Sequence, residues 1–578
     1  MPSKRSGNPF DVLRRPAKRR EEPVKALPET VIGSTERNQI DAYIHKSEVI
    51  VIESEDSDLR LLCFKRMHLK RVLPFKGSIL LAPVVGSVEM LGFEMKSQFE
   101  FRHCVSASTG ALAGIRPVGM DSVSECLKNG TDGGCRREVG RMLALLDDED
   151  VVTVVAVREF QSNVDALERL MPVFKSIVST QQKHSKLFSL DCDQRDCVSI
   201  PSQWVDAAVW FDNASFATGK SMCVVGPRNI GKSTFSRYLV NRLLSGNHSE
   251  VVYIDCDPGQ PGFTPAGIVS LHRIRDAVLT PCFMSLRQPY RAFCVGATSP
   301  KNDPDYYLAC VAELVRVWRK ELSHLPLVVN SSGWFKGMGL DLLHHILRSS
   351  SFSAVAYLNR IFHQNTADAS DGFLTGCLSE ASVLHRLPGT CDDYASKLKF
   401  TAADHRILSL CSYFLASKHI SVTRQVPFRV KWNSVRIKFL LQDVPYRQSL
   451  FALNGAIVGL VVDQCSYNTH KQQTNNLQII PSATASSPKD THCVGFAIIR
   501  AIDAQASEFH IVTPVNAFIL QQVNLIVRSP GLEMPVCLVT GDYEDTRTCL
   551  PYATYMAAEG YGALTKRNRH IQRRRLND

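Results

Sequence analysis

The sequence predicts an α/β core held between two β-rich flanks, and three observations predict it. From Ser221 to Leu358 short apolar runs alternate with helical patterns, the signature of a mostly parallel, doubly wound sheet. Before and after that stretch the pattern changes to short β-type runs with turn residues between them. The third observation is Ser221-Met222-Cys223-Val224-Val225-Gly226-Pro227-Arg228-Asn229-Ile230-Gly231-Lys232-Ser233-Thr234, an apolar run that opens into a glycine loop and then a helix. Gly226 and Gly231 allow positive φ and let backbone N–H groups approach an oxyanion. Lys232 brings a point charge to the β- and γ-phosphates of a nucleotide, and the Ser233 hydroxyl suits Mg²⁺. The predicted centre is therefore a P-loop NTPase domain, with Gly226 to Thr234 as its nucleotide cradle.

In chain order, residues 1–38 read as a disordered basic tail, charged and punctuated by Pro9, Pro16, Pro23 and Pro28. Residues 39–200 read as an N-terminal β-rich domain, with strands at Val49–Ile52, Arg60–Phe64, Gly77–Leu81, Gly86–Phe93 and Val151–Val157. Val164 to Ile177 read as a helix broken or kinked at Pro172. The P-loop domain spans 201–424: after the helix that Ser245-Gly246-Asn247 stops come strands at Val251–Asp255, Arg291–Ala297, Leu327–Asn330 and Ala354–Leu358, and a helix from about Asp305 to Trp318. A C-terminal β-rich domain spans 425–565, with 464–492 read as a disordered insertion from its Ser, Thr, Asn and Gln content. Residues 566–578 form a second basic tail.

Composition narrows the function classes. The hydrophobic fraction of 44% and charged fraction of 21% are those of an ordinary globular chain. The most apolar run, Ile79 to Phe93, is interrupted by Pro83, Gly86 and Glu89, so no membrane span is expected. The 18 cysteines include no CxxC pair, and a zinc site is not expected. Residues 1–25 carry eight basic against three acidic side chains, and residues 566–578 six against one, so the two ends hold +10 of the net charge of +11. Basic clusters of this kind read as nuclear import signals or as arms for RNA phosphates.

The second phosphate-site element is Tyr253-Ile254-Asp255-Cys256-Asp257-Pro258-Gly259-Gln260. A strand ending in Asp255 places a carboxylate beside a Mg²⁺ held by Ser233, and the metal then bridges the β- and γ-phosphates. Asp257, two residues later, is positioned to accept the proton of an attacking hydroxyl, in a reaction dominated by positioning and charge. No NKxD follows, which disfavours guanine and leaves ATP as the expected nucleotide.

These elements, with Phe263-Thr264-Pro265 and Asn330-Ser331-Ser332-Gly333-Trp334-Phe335-Lys336-Gly337-Met338-Gly339, resemble the phosphate loop, DxDxGQ and TxGW motifs of the polynucleotide 5′-hydroxyl kinases. The resemblance implies ATP- and Mg²⁺-dependent phosphorylation of a nucleic-acid 5′-OH, with Lys232, Ser233 and Thr234 on phosphate and metal, Asp255 on metal and Asp257 on the hydroxyl. It also implies that Gln260 and a clasp of Ser331, Gly333 and Trp334 hold the RNA 5′ end; Ser331 stands where the family more often has Thr. Trp offers a stacking face for a base. A lid arginine should close over the transferring phosphoryl, and Arg386 and Arg406 are its candidates.

Within the family, Gly495 to Asp503, Thr513-Pro514-Val515, Val523 to Val527 and the arginine-rich end from Lys566 to Arg575 are similar to the nucleolar kinases of pre-rRNA processing. That branch implies a place in the nucleus and nucleolus. It also implies an endoribonuclease partner that cuts the second internal transcribed spacer and leaves a 5′-OH. Two alternatives stay open: an ATP-binding scaffold of a nuclease complex with little turnover, and a DNA-directed 5′ end-repair kinase.

Overall fold

The computed structural model of the chain describes residues 31–34, 40–45, 47–54, 58–121, 134–146, 150–161, 164–179, 188–215, 219–246, 248–360, 374–376, 378, 382–389, 400–415, 422–464, 477–482, 484 and 487–540. The basic clusters at 1–25 and 566–578 lie outside them. No helix among the described residues is long and apolar enough to cross a membrane. Their cysteines are free and mostly buried, and they include no cluster of three or more His, Cys, Asp or Glu side chains fit for a metal.

The N-terminal part is antiparallel. Strands β1 (Val31–Ser34), β2 (Ile40–Ile44), β3 (Ile50–Ser54), β4 (Leu59–Lys65), β5 (Leu73–Pro74), β6 (Lys76–Val85), β7 (Ser87–Met90), β8 (Phe93–Lys96), β9 (Arg102–Ser106), β10 (Gly114–Gly119), β11 (Val151–Glu159) and β12 (Phe188–Ser189) form an eight-stranded and a four-stranded sheet. The continuous apolar run at β11, buried on both faces, makes it a central strand between β4 and β6. Ordered structure starts earlier than residue 39, because β1 pairs with β2 through Val31 and Tyr43. The helix expected from Val164 to Ile177 is much shorter and ends before Pro172. The helix that starts at Val164 stops at Glu168, and Pro172 opens a separate turn, Pro172–Phe174, where its missing N–H costs nothing.

The central sheet has the order β16-β15-β14-β17-β13-β18-β19, from β13 (Ser221–Val225), β14 (Val251–Asp255), β15 (Ile268–Ile274), β16 (Arg291–Cys294), β17 (Leu327–Asn330), β18 (Ala354–Asn359) and β19 (Val383–Pro388). The five strands from β14 to β19 in that order are parallel, and β15 and β16 add an antiparallel edge. Two strands escaped the sequence reading. β15 is an ordinary buried run, and β19 is half-exposed with a weak apolar pattern.

Both sheet faces are covered, which is why β13 is apolar at every position. Met222 and Val224 pack under Ser202–Asn213 and Lys232–Ser245, while Cys223 and Val225 pack under Pro304–Val317 and Met338–Ser350. The hairpin of β7 and β8 lies against the P-loop helix, where Asn241 Nδ2 donates to Leu91 O at 3.0 Å and Glu94 N donates to Ser245 Oγ at 2.9 Å. Gly92 at φ +85° lies so close to Tyr238 that a Cβ there would approach its ring within 2.8 Å.

The C-terminal sheet has the order β20-β25-β24-β22-β26-β21-β23, with β20 (Phe428–Lys431), β21 (Arg436–Phe439), β22 (Ile457–Asp463), β23 (Gln478–Ile480), β24 (Thr491–Asp503), β25 (Glu508–Val512) and β26 (Leu525–Arg528). Reading 464–492 as one disordered insertion needs correcting, because β23 lies inside it and pairs in parallel with β21 through Ile437 and Ile479. Leu477 and Ile479 pack on the C-terminal core and hold that strand in place; the polar composition around them hid the pair.

Candidate active site at the carboxyl ends of the central strands

Three parallel strands end at one point. Val224 of β13, Asn330 of β17 and Asp255 of β14 are neighbours in register, so their side chains project to the same face of the sheet. That face carries the helix that begins at Lys232. The first turn of the P-loop helix therefore meets the ends of β14 and β17 as a consequence of strand register.

The loop between β13 and that helix has Gly226 at φ +148°, Asn229 at +59° and Gly231 at +102°. A Cβ at Gly226 would stand 2.5 Å from Leu358 O, so the close approach to β18 demands glycine there. Pro227, Arg228, Asn229 and Ile230 complete the loop; Ile230 is buried and Arg228 and Asn229 are exposed. Lys232 is 7% exposed, and its Nζ donates to Pro227 O at 2.7 Å. Burial lowers its pKa to about 8; Asp257 opposes that shift and Arg228 adds to it. An ammonium that burial makes costly to keep charged favours an anionic partner.

Asp255 is fully buried. Its Oδ2 accepts from Gly262 N at 2.7 Å, and its Oδ1 accepts from Asp257 N and from Asn330 Nδ2, each at 3.2 Å. Burial raises its pKa to about 7, only partly offset by these donors. The same Asn330 amide nitrogen lies 3.4 Å from Ser233 Oγ, so one side chain spans the P-loop hydroxyl and the buried carboxylate. Asn330 Oδ1 is buried without a hydrogen-bond partner. The oxygens of Ser233 and Asp255, bridged by the Asn330 amide nitrogen, fit a hard divalent cation such as Mg²⁺. Thr234 follows Ser233 in the first turn, half-buried.

Asp257 lies beyond the end of β14, half-exposed, its Oδ1 accepting from Gly259 N at 2.9 Å. Gln260, three residues on, is exposed. The clasp is tied to the P-loop strand because Ser331 N donates to Val224 O at 3.1 Å. Ser331 is 3% exposed. Gly333 sits against the loop: a Cβ there would lie 2.8 Å from Arg228 Cγ and 3.0 Å from Lys232 Nζ. Trp334 is half-buried and packs toward Pro300, Tyr307, Leu342 and Leu343, and a methyl group at Gly339 would collide with its ring.

The two lid candidates are placed differently from each other. Arg386 lies on β19, exposed, in register with Tyr357 of β18, which in turn pairs with Val225 just before the P-loop. Arg406 lies on the helix Ala402–Leu415, half-buried; that helix buries Leu408, Cys411 and Phe414 in a core shared with the N- and C-terminal parts. Residues 390–399 between them are outside the described set.

Sequence reasoning gave no role to Asn330, although it quoted the residue as the head of the clasp run. The available signal was its position as a polar residue ending an apolar strand, the same signal that singled out Asp255.

Residues 226–379 match the family described as mRNA cleavage and polyadenylation factor CLP1 P-loop, and residues 423–532 match the NOL9-like C-terminal domain. The chain is 26% identical over 437 residues to "Polynucleotide 5′-hydroxyl-kinase nol9" of Dictyostelium discoideum, covering 63% of this chain and 62% of that protein. It is 29% identical over 366 residues to the NOL9 kinase of Arabidopsis thaliana, covering 59% of this chain and 92% of that protein. With the human NOL9 kinase it shares 30% over 361 residues, covering 55% of this chain and 49% of that protein. The match thus takes in about half to nine-tenths of the length of these relatives. Among solved structures, the wild-type Clp1p–Pcf11p complex matches with a TM-score of 0.51 at 14% identity, over 82% of this chain and 99% of that one, a likeness of fold. The chain is a homologue of the polynucleotide 5′-hydroxyl kinases named nol9 and grc3, with a CLP1-type P-loop region followed by a NOL9-like C-terminal domain.

Proposed function

We propose that the chain is an ATP- and Mg²⁺-dependent polynucleotide 5′-hydroxyl kinase that acts on RNA 5′-OH ends. The observation that carries the reading is convergence. Asn330 joins Ser233 to Asp255, and the clasp glycine Gly333 lies against Lys232 and Arg228, so phosphate loop, metal carboxylate and clasp line one site.

In this reading the backbone N–H groups from Gly226 to Thr234 and the Lys232 ammonium bind the β- and γ-phosphates of ATP. Ser233 and Asp255 would hold Mg²⁺, which when bound neutralises charge across the β- and γ-phosphates. Asp257 accepts the proton of the RNA 5′-hydroxyl as the 5′ oxygen bonds to the γ-phosphorus. The bond from that phosphorus to the β–γ bridging oxygen breaks, and ADP leaves. Gln260, Ser331 and Gly333 position the strand end, and Trp334 offers whatever face its packing leaves open. Arg386 and Arg406 are the proposed lid cations over the transferring phosphoryl, which gains charge-assisted contacts as it moves.

We place the enzyme in the nucleolus, phosphorylating the 5′-OH left by a partner endoribonuclease within the second internal transcribed spacer of pre-rRNA. The NOL9-like C-terminal domain supports that placement. The test of the reaction is transfer of labelled γ-phosphate from ATP to 5′-OH RNA and to the matching DNA. Label on RNA in preference to DNA supports the reading. Label on DNA alone points to end repair, and binding of MgATP without transfer to either points to a scaffold.

A further inference from the structure

Asn330 is 1% exposed at the end of β17, between the P-loop strand and the strand that ends in Asp255. Its backbone carbonyl accepts from Cys256 N at 2.9 Å, which pins it to the chain just beyond Asp255. Its amide nitrogen faces two oxygens, Ser233 Oγ at 3.4 Å and Asp255 Oδ1 at 3.2 Å. An amide nitrogen carries two protons and donates to both. Turning the amide over would set its oxygen against the Asp255 carboxylate, so the orientation follows from charge.

That orientation leaves Oδ1 buried with no donor. Buried amide oxygens nearly always have a partner, and an orphan beside a phosphate loop points to a ligand that brings O–H groups. A hydrated magnesium ion does so, because Mg²⁺ gives up its waters reluctantly and binds through few protein ligands.

We propose that Asn330 is a positioning residue for the divalent cation held by Ser233 and Asp255. Its two N–H bonds fix the two ligand oxygens and aim their remaining lone pairs at the metal, and its Oδ1 accepts a hydrogen bond from a metal-bound water. It touches neither phosphate nor acceptor. This inference rests on the kinase reading of the site, and adds to it a residue that the motif comparison left without a role.

The test is a Mg²⁺ titration of the binding of a non-hydrolysable ATP analogue, by calorimetry, on the full chain. Asn330→Leu keeps the volume and removes all hydrogen bonding; Asn330→Ser keeps one hydroxyl and guards against a misfolded first variant. The Mg²⁺ midpoint is expected to rise roughly tenfold in Asn330→Leu, within the usual range for residues that orient metal ligands, and less in Asn330→Ser. Affinity for the analogue without metal should stay within about twofold, since Lys232 and the loop amides remain. An unchanged midpoint in both variants, with or without a lower melting temperature, would overturn the role of Asn330 and leave the kinase reading standing. Wild-type binding that is indifferent to Mg²⁺ would overturn both.

Discussion

On the proposed nucleotide side of the site Lys232, Asp255 and Asn330 are buried, fixed by strand register and by bonds to Pro227, Gly262 and one another. On the proposed acceptor side Gln260 is exposed, Asp257 and Trp334 are half-exposed, and Arg386 and Arg406 sit on separate elements. The first wall is preorganised because a parallel sheet delivers three strand ends to one point. The second depends on loops after the strands, where a long substrate needs room to enter. Nucleotide binding and acceptor binding should therefore fail independently when mutated, except at Gly333, where the clasp touches the loop, and five substitutions press on that division.

The largest effect is expected where the walls meet at the reacting atoms. Lys232→Ala and Asp257→Asn should each lower kcat for phosphoryl transfer by about 10³-fold. Nucleotide affinity should fall only in Lys232→Ala, which equilibrium binding of labelled ATP can check. Equal loss of nucleotide affinity in both variants would erase the division.

Gly333→Ala comes next. A Cβ at this position enters the space of Arg228 Cγ and Lys232 Nζ, so a clasp substitution should impair the nucleotide wall. The lysine has to give by a few tenths of an ångström, which is expected to lower kcat/KM by about tenfold, with KM for ATP rising. An effect confined to the RNA KM would separate the clasp from the loop.

Trp334→Ala sharpens the acceptor side. Its ring packs toward Leu342 and Leu343, so truncation should lower the melting temperature. If the ring also stacks a base, the RNA KM should rise by about tenfold with KM for ATP unchanged. Loss of stability alone assigns Trp334 to packing.

The smallest effect concerns stability and pH. Burial holds the Asp255 pKa at about 7, above the usual carboxylate range. Between about pH 4 and pH 7 the folded protein therefore binds a proton that the unfolded chain has lost, so this group makes stability fall as pH rises through that window. Above pH 7 the full penalty is present. Asp255→Asn should remove it and stabilise the nucleotide-free protein at pH 8 by roughly 1–3 kcal/mol, while abolishing the stabilisation that Mg²⁺ adds to that by ATP alone. Chemical denaturation at pH 5 and pH 8 checks the sign.

The legibility of each part followed the same division. The P-loop, Asp255 and the strands around them could be read because buried parallel strands are continuous apolar runs, and a loop that binds phosphate must place glycine at fixed positions. β19 and β23 end their sheets, and an edge strand is specified by the partner it finds, as Gln478–Ile480 finds β21 only in the folded protein; β15 lies inside its sheet, and Ser270, His272 and Arg273 break up its apolar run. Asn330 heads the clasp run in the sequence, yet its bridging role depends on the register of three strands that are distant in sequence. Arg386 and Arg406 are not told apart by sequence because which of them faces the loop depends on where the fold sets β19 and the helix Ala402–Leu415.

End-labelling of a 5′-OH RNA oligonucleotide with γ-labelled ATP and Mg²⁺, by wild type and by Asp257→Asn, reads the proposed phosphoryl transfer itself. The proposed transfer puts label on the 5′ end with wild type, removable by phosphatase, blocked when the RNA already carries a 5′-phosphate, and nearly absent with the variant. Label that persists at wild-type rate in Asp257→Asn, or wild type that binds MgATP and labels neither RNA nor DNA, would contradict it.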